Sequence, residues 1–140
     1  MERIRDFFRQ EDKLAKYLGM ELLEVTAGGA KVRMEIREYH LNGVRTVHGG
    51  AVFALADFAF AAASNSHGDV SVAIQTSITF IKAATAGVLY AEAKETSRNP
   101  KLGTYQVDVR DQQGELIASF QGLAYRKKDK LESFMDGGQS

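Results

Sequence analysis

One carboxylate lies inside the most apolar stretch of the chain. Asp57 interrupts residues 51 to 64, which otherwise hold mainly alanine, phenylalanine, leucine and valine. A buried carboxylate is costly unless something compensates it, and the stretch has no basic residue three or four positions away. Such a carboxylate can serve as a general base on water or as a nucleophile on a carbonyl carbon. The alternative is a structural aspartate paired with a basic residue from elsewhere in the chain.

A polar segment leads directly into this stretch. Residues 37 to 50 hold two of the three histidines, His40 and His48, together with Asn42. The segment ends in Gly49 and Gly50, where the apolar stretch begins. At the start of a helix, unpaired backbone N–H groups and the positive end of the helix dipole point outward. We therefore expect the candidate site to lie where this loop meets the helix.

The elements that must position these residues follow from the hydrophobic pattern. Val47 to Asn65 predicts a helix that is apolar on every side and must be surrounded by protein. It is shorter than the roughly 20 apolar residues of a membrane span. One antiparallel sheet can cover one side of such a helix, so the other side requires a second subunit. The pattern predicts an oligomer of α+β domains.

The remaining elements are predicted from periodicity and turn residues. Residues 2 to 18 predict one amphipathic helix that ends at Gly19. Alternation of apolar and polar residues predicts six strands, which are separated by turn segments. These strands cover Met20 to Val25, Ala30 to Ile36, Val70 to Ile81, Val88 to Thr96, Thr104 to Arg110 and Leu116 to Tyr125. We expect one domain over residues 1 to 128 and a polar tail over 129 to 140, with its last residues frayed.

Composition narrows the classes of function. The 140 residues suit one domain with a real core, and 18 basic residues balance 18 acidic ones. This balance argues against recruitment of nucleic acid or of an anionic membrane. The absence of cysteine excludes disulfides, thiolate catalysis and cysteine-bound metals. The N-terminal residues lack the apolar core of a signal peptide, so we expect a cytoplasmic protein.

Several motifs together resemble the hotdog-fold acyl-CoA thioesterases of the PaaI (phenylacetic acid degradation) type. The resemblance spans about residues 15 to 128 and rests mainly on His48-Gly49-Gly50, with an asparagine six residues before the histidine and Asp57 nine residues after it. Further matching pieces are Leu55-Ala56-Asp57, Asn65-Ser66, Ile78 to Lys82, Gly114 to Ala118 and Gly122 to Arg126. The chain departs from the family pattern at Ala83, where many relatives carry proline, and at Ala73, where some carry a hydroxyl residue.

The resemblance implies an antiparallel sheet wrapped around the long central helix. It implies dimers whose sheets join, and usually a dimer of dimers. It also implies hydrolysis of acyl-CoA to acid and coenzyme A without a metal or cofactor. The active site would lie between subunits, where Asp57 meets the helix start of the other subunit.

The resemblance also assigns roles to four residues. Asp57 would act as general base or nucleophile, and the Gly50 N–H would polarise the thioester carbonyl. His48 would orient the carbonyl or hold the loop, and Asn42 would place an amide near the thioester or the attacking water. The alternatives are helix initiation for Gly50, a hydrogen-bonded loop histidine for His48 and a plain turn residue for Asn42.

The expected ligand contacts are less specific. Gly49 lies at the helix start, and Lys82, Arg98 and Lys101 lie in or beside strand ends, where they could meet the phosphates of coenzyme A or be simply solvated. Phe53, Phe58 and Phe60 could line an acyl pocket for an aryl-acetyl or short-to-medium acyl group, or belong to the core. The alternative function is a non-catalytic acyl-CoA-binding module. A hotdog dehydratase is disfavoured because the pattern of those enzymes has a phenylalanine-proline pair after the histidine, whereas the only proline of this chain is Pro100.

Overall fold

Two short helices precede the sheet in the computed structural model, which describes residues 1–135. α1 spans Glu2–Glu11 and α2 spans Lys13–Tyr17, so the prediction of one helix over residues 2 to 18 is wrong at one point. The chain is extended at Asp12 (φ −82°, ψ 95°), and the Asp12 side chain accepts a hydrogen bond from the Ala15 N–H. The break arises because Asp12 acts as the N-cap of a new helix.

Six antiparallel strands form one sheet in the order β1-β2-β4-β5-β6-β3. The strands are β1 Met20–Thr26, β2 Gly29–Glu35, β3 Asp69–Phe80, β4 Val88–Arg98, β5 Leu102–Asp111 and β6 Leu116–Lys130. The long helix α3, Gly49–Ser64, lies between β2 and β3, and a short helix α4 spans Glu132–Met135. The predicted α+β architecture, an antiparallel sheet around a long central helix, is confirmed.

β6 is longer than its sequence pattern predicts. It continues past Tyr125 through the basic segment to Lys130, because Arg126 pairs with Ser71 and Lys130 pairs with Asp69 at the start of β3. Leu131, directly after the strand, is buried. The expectation of frayed final residues falls on residues 136–140, which lie outside the described residues.

α3 packs against one face of the sheet, mainly on β2, β4 and β5, and forms the centre of the core. Leu55, Ala56 and Ala59 are fully buried, and the Phe60 ring contacts the rings of Tyr105 and Phe120. Gly122 of β6 faces Phe60 so closely that an added Cβ would lie 2.7 Å from that ring. The helix is thus buried as predicted, except along one side. That side carries the partly exposed Phe53, Ala54, Asp57 and Ala61.

β3 is an edge strand with an unusual surface. Its exposed side chains include Val72, Ile74 and Phe80, and Ile81 directly after it is also exposed. A long apolar edge strand is a template for pairing with another strand, and monomeric proteins avoid such edges. None of the helices in residues 1–135 is long and apolar enough to cross a membrane.

Candidate active site

Asp57 lies in the middle of α3, on the side that the sheet leaves open. It is partly rather than fully buried, because one chain alone does not cover this side of the helix. Within residues 1–135 it makes no hydrogen bond or ion pair, so the alternative of a structural pairing with a basic residue finds no support in the single chain. Burial raises the pKa of the Asp57 carboxyl, and the negative charge of Asp12 raises it further.

The start of α3 is organised by a contact between two of the predicted site residues. His48 is the N-cap, and its Nδ1 accepts the Gly50 N–H at 2.8 Å. Because Nδ1 accepts, the neutral ring carries its proton on Nε2. Nε2 has no hydrogen-bond partner in the described part of the chain, and both residues are exposed. The helix start therefore presents an outward N–H from the ring, while the Gly50 N–H is engaged by His48.

Asp57 and Gly50 share a face of α3 but lie far apart along it. Seven residues correspond to almost two full turns, which places the two on one side of the helix and separates them by about 10 Å along its axis. An N–H donor must lie about 3 Å from the thioester oxygen, and so must a carboxylate that attacks the carbonyl directly, whereas a carboxylate that acts through water lies one water molecule further away. The separation within one chain is therefore too long for direct attack by Asp57 on a carbonyl that is bound at Gly50.

Asn42 holds the loop before α3. Its Oδ1 accepts the N–H groups of Val44 at 3.0 Å and Thr46 at 3.1 Å, and its Nδ2 donates to the Thr46 hydroxyl at 2.9 Å. Arg45 within this loop has a left-handed backbone (φ +65°), which the Asn42 contacts support. These bonds fit the turn alternative for Asn42. A contact between its amide and the substrate stays a prediction.

The other two histidines are used in structural hydrogen bonds. His40 is fully buried: its Nδ1 accepts the Arg37 N–H at 2.9 Å, and its Nε2 donates to the Leu18 carbonyl at 2.7 Å. His67 contacts Glu95 through Nε2 at 2.9 Å. Neither ring joins His48 at the start of α3.

A pocket of about 250 Å³ lies beside the start of α3. Gly49, Val52, Phe80 and Lys82 line it, with Ile117 from β6. The lack of a side chain at Gly49 makes room for the Phe80 ring, which a Cβ would approach to 3.2 Å. Two of the predicted ligand contacts, Gly49 and Lys82, therefore share one pocket next to Gly50. Lys82 also forms an ion pair with Glu115.

Arg98 and Lys101 lie at the opposite end of the sheet from Lys82. The Lys101 carbonyl accepts the N–H of Arg126, which pairs with Ser71 near the start of β3, whereas Lys82 follows the end of β3. The 12 residues of β3 separate the two ends by about 40 Å at roughly 3.3 Å per residue. Within one chain these cations cannot serve the same ligand.

Asp12 is a neighbour of Asp57 that the sequence interpretation missed. Both carboxylates line a pocket of about 40 Å³ between α2 and α3, with Leu14, Ala15, Met20, Ala54 and Phe58 as its apolar walls. The sequence pattern contained one indication of this arrangement, because an aspartate three residues before Ala15 can cap a new helix. The proximity of Asp12 to Asp57, 45 positions along the chain, had no local signature.

The sequence of this chain is similar to known thioesterases and esterases. The model of the thioesterase superfamily matches residues 45–118. A putative esterase from Archaeoglobus fulgidus is 46% identical over 127 residues, which is 90% of this chain and 82% of the relative. The acyl-coenzyme A thioesterase PaaI of Escherichia coli is 36% identical over 118 residues and covers 84% of both chains.

The solved structures agree with the sequence relatives. The structure of the E. coli PaaI protein from the phenylacetic acid degradation operon has a TM-score of 0.88 and 32% identity, and the match covers 92% of this chain and 96% of that one. A mutant structure of the phenylacetic acid degradation protein PaaI from Thermus thermophilus has a TM-score of 0.80 and 37% identity, over 83% of this chain and 100% of that one.

Proposed function

Because this chain belongs to the thioesterase superfamily and is a hydrolase of thioesters, we propose that its substrates are acyl-CoA thioesters, which it cleaves to the free acid and coenzyme A. The predicted resemblance to PaaI-type enzymes and the hotdog fold are confirmed by the relatives above. One observation carries the proposed site. α3 presents an unpaired carboxylate and an exposed helix start on the same uncovered face, about 10 Å apart along the helix axis.

In the proposed site, Asp57 of one subunit faces Gly50 of the partner subunit. A two-fold axis between two such helices would bring the middle of one beside the start of the other, and it would form two equivalent sites. The apolar edge of β3 supports this assembly, because pairing two β3 strands would cover Ile74 and Phe80 and join the sheets. A dimer of dimers is proposed as the complete assembly, from family resemblance alone.

The reaction proceeds by addition and elimination at the thioester carbon. Asp57 takes a proton from water, whose oxygen attacks the carbonyl carbon. The oxyanion that forms is stabilised by N–H donors at the partner's helix start: the Gly50 N–H, released from its cap, and the Nε2–H of His48. When the intermediate collapses, the C–S bond breaks, and the thiolate of coenzyme A takes the proton from Asp57. Direct attack by the Asp57 carboxylate, which would form a mixed anhydride, is the alternative step.

The pocket beside Gly49 supports a substrate with an apolar group next to the thioester. Val52, Phe80 and Ile117 provide apolar walls for an aryl-acetyl or short-to-medium acyl group. Antiparallel pairing of two β3 strands would also bring Arg98 and Lys101 of one subunit toward Lys82 of the other. This pairing would resolve their separation in the single chain and gather cations for the phosphates of coenzyme A.

A thioesterase assay on a panel of acyl-CoA substrates tests this proposal. The wild type is expected to release coenzyme A, and both Asp57→Asn and Asp57→Ala are expected to lose about 10²- to 10⁴-fold in kcat. Asp108→Asn is the matched control, since Asp108 is a partly exposed aspartate of β5 that pairs with Arg110. Full activity in both Asp57 variants would refute the mechanism. Tight acyl-CoA binding without turnover by the wild type would favour the non-catalytic binding module.

A further inference from the structure

The junction between α1 and α2 brings a second carboxylate to Asp57. The chain breaks its helix at Asp12, and the two acidic side chains then line the same pocket of about 40 Å³. The remaining walls of this pocket are alkyl or aromatic groups, so nothing in them separates or neutralises the two charges. Two carboxylates at one small apolar pocket destabilise each other when both are ionised.

Three cations of the neighbouring helices lie beside groups other than Asp12 and Asp57, and Lys16 of α2 forms no ion pair with either carboxylate in residues 1–135. Arg5 and Arg9 of α1 lie 3.6 Å and 3.9 Å from the Asp6 carboxylate, and Arg9 also donates to the Leu22 carbonyl at 2.7 Å. Lys13, directly after Asp12, has its Nζ 3.6 Å from Glu11. The negative charge of Asp12 therefore acts on Asp57 without a cation paired to either carboxylate in residues 1–135.

Capping of α2 does not require that charge. The Oδ1 of Asp12 accepts the Ala15 N–H at 3.1 Å. Asparagine and serine cap helices about as well as aspartate does. A neutral cap would avoid the repulsion with Asp57, so the presence of a charged one needs another explanation.

We propose that Asp12 is a positioning residue of the hydrolytic site, which holds a negative charge across the small pocket from Asp57 and thereby keeps Asp57 a strong base. The inference rests on the proposed function, in which Asp57 deprotonates water. A base gains strength when its ionised form is destabilised, and a nearby like charge has that effect on Asp57. The N-terminal helices would then be part of the catalytic apparatus as well as a cover for one end of the domain.

Three substitutions separate the charge from the cap. Asp12→Asn keeps an oxygen that can accept the Ala15 N–H and removes the charge, and Asp12→Ser does the same with a shorter side chain. Asp12→Ala removes both. The measurements are the pH profile of kcat/KM and the midpoint of thermal unfolding for each variant.

We expect Asp12→Asn and Asp12→Ser to unfold at or above the midpoint of the wild type, because both keep the cap and remove the repulsion with Asp57. In both, the acid limb of the kcat/KM profile should move to lower pH, and the rate at neutral pH should fall by about two- to tenfold, less than the loss of the base itself. Asp12→Ala should show the same kinetic change with a lower unfolding midpoint. If Asp12→Asn has the wild-type pH profile and rate, Asp12 only caps α2 and the inference is wrong.

A direct titration of Asp57 distinguishes this inference from the proposed function. Carbon NMR of the Asp57 carboxyl, assigned with Asp57→Asn, reports its ionisation whether or not the protein turns over a thioester. A titration midpoint that moves to lower pH in Asp12→Asn supports the coupling even if no acyl-CoA is hydrolysed. An unchanged midpoint refutes the coupling even if hydrolysis and the role of Asp57 are established.

Discussion

Substitution of His48 separates two roles that the structure gives to one side chain. Its Nδ1 caps α3 by accepting the Gly50 N–H at 2.8 Å, and its Nε2–H points outward without a partner in residues 1–135. Serine at this position can restore the cap through its hydroxyl, but it has no donor that reaches as far as the ring. Alanine removes both functions. The pair His48→Ser and His48→Ala therefore isolates the catalytic contribution from the structural one.

The expected magnitudes differ for the two properties. Loss of one oxyanion donor typically lowers kcat by about 10²- to 10³-fold, so both variants should show a loss of that order. Loss of an N-cap costs about 0.5–2 kcal/mol of unfolding free energy, and only His48→Ala should show it. For a chain of this size, each kcal/mol corresponds to about 2–4 °C in the unfolding midpoint.

Release of coenzyme A, followed with a thiol reagent, measures the loss in kcat. Calorimetry measures the change in the unfolding midpoint. A His48→Ser variant with the wild-type kcat would refute the donor role and leave His48 as a cap alone. Equal unfolding midpoints for the serine and alanine variants would instead contradict the capping role.

Two further predictions concern the scaffold. Gly122→Ala should lower the free energy of unfolding by about 1–3 kcal/mol, because its Cβ would lie 2.7 Å from the buried Phe60 ring. Gly43→Ala is the control and should change the free energy little, because no atom lies within 4 Å of the added Cβ. Equal free energies for the two variants in denaturant titrations would contradict the packing described. Burial alone would raise the pKa of Glu95, but hydrogen bonds from Tyr105 and His67 outweigh burial and lower this pKa. The stability that Glu95 contributes is therefore fully present above its ordinary pKa of 4.5 and is lost as the pH falls through the lowered pKa. Glu95→Gln should therefore reduce the acid sensitivity of the unfolding free energy in that range, and an unchanged pH dependence would show that the Glu95 contacts contribute nothing.

The sequence was sufficient for the architecture because the relevant information is local. Alternation along the strands and the uniformly apolar run of α3 predict their types, and the Asp57 charge within that run points to the site. The end of β6 was missed because its last residues are basic and polar, and they are held in the strand by pairing with Ser71 and Asp69 of distant β3. Long-range pairing can override a local pattern.

The contacts of the site were less accessible to sequence reasoning. The cap between His48 and Gly50 depends on a ring orientation, and the approach of Asp12 to Asp57 depends on a helix break and on the packing of α2 against α3. Likewise, the opposite placement of Lys82 and Lys101 emerges only once the strand order and register are known. Such features arise from tertiary packing, for which spacing in the chain carries no information.

The central claim is that each site combines Asp57 of one subunit with the helix start of the other, and complementation between two inactive variants tests it most directly. Asp57→Ala removes the carboxylate, and Gly50→Pro removes the donor N–H, which belongs to the first helical turn and has no partner within the helix backbone. The two variants are co-expressed with different tags, and the mixed dimers are isolated with both tags. If the sites are shared, one site of each mixed dimer has both intact residues, and activity should return to about half of the wild type. If mixed dimers are as inactive as either variant alone, the two residues do not act across the subunit boundary and the account is wrong.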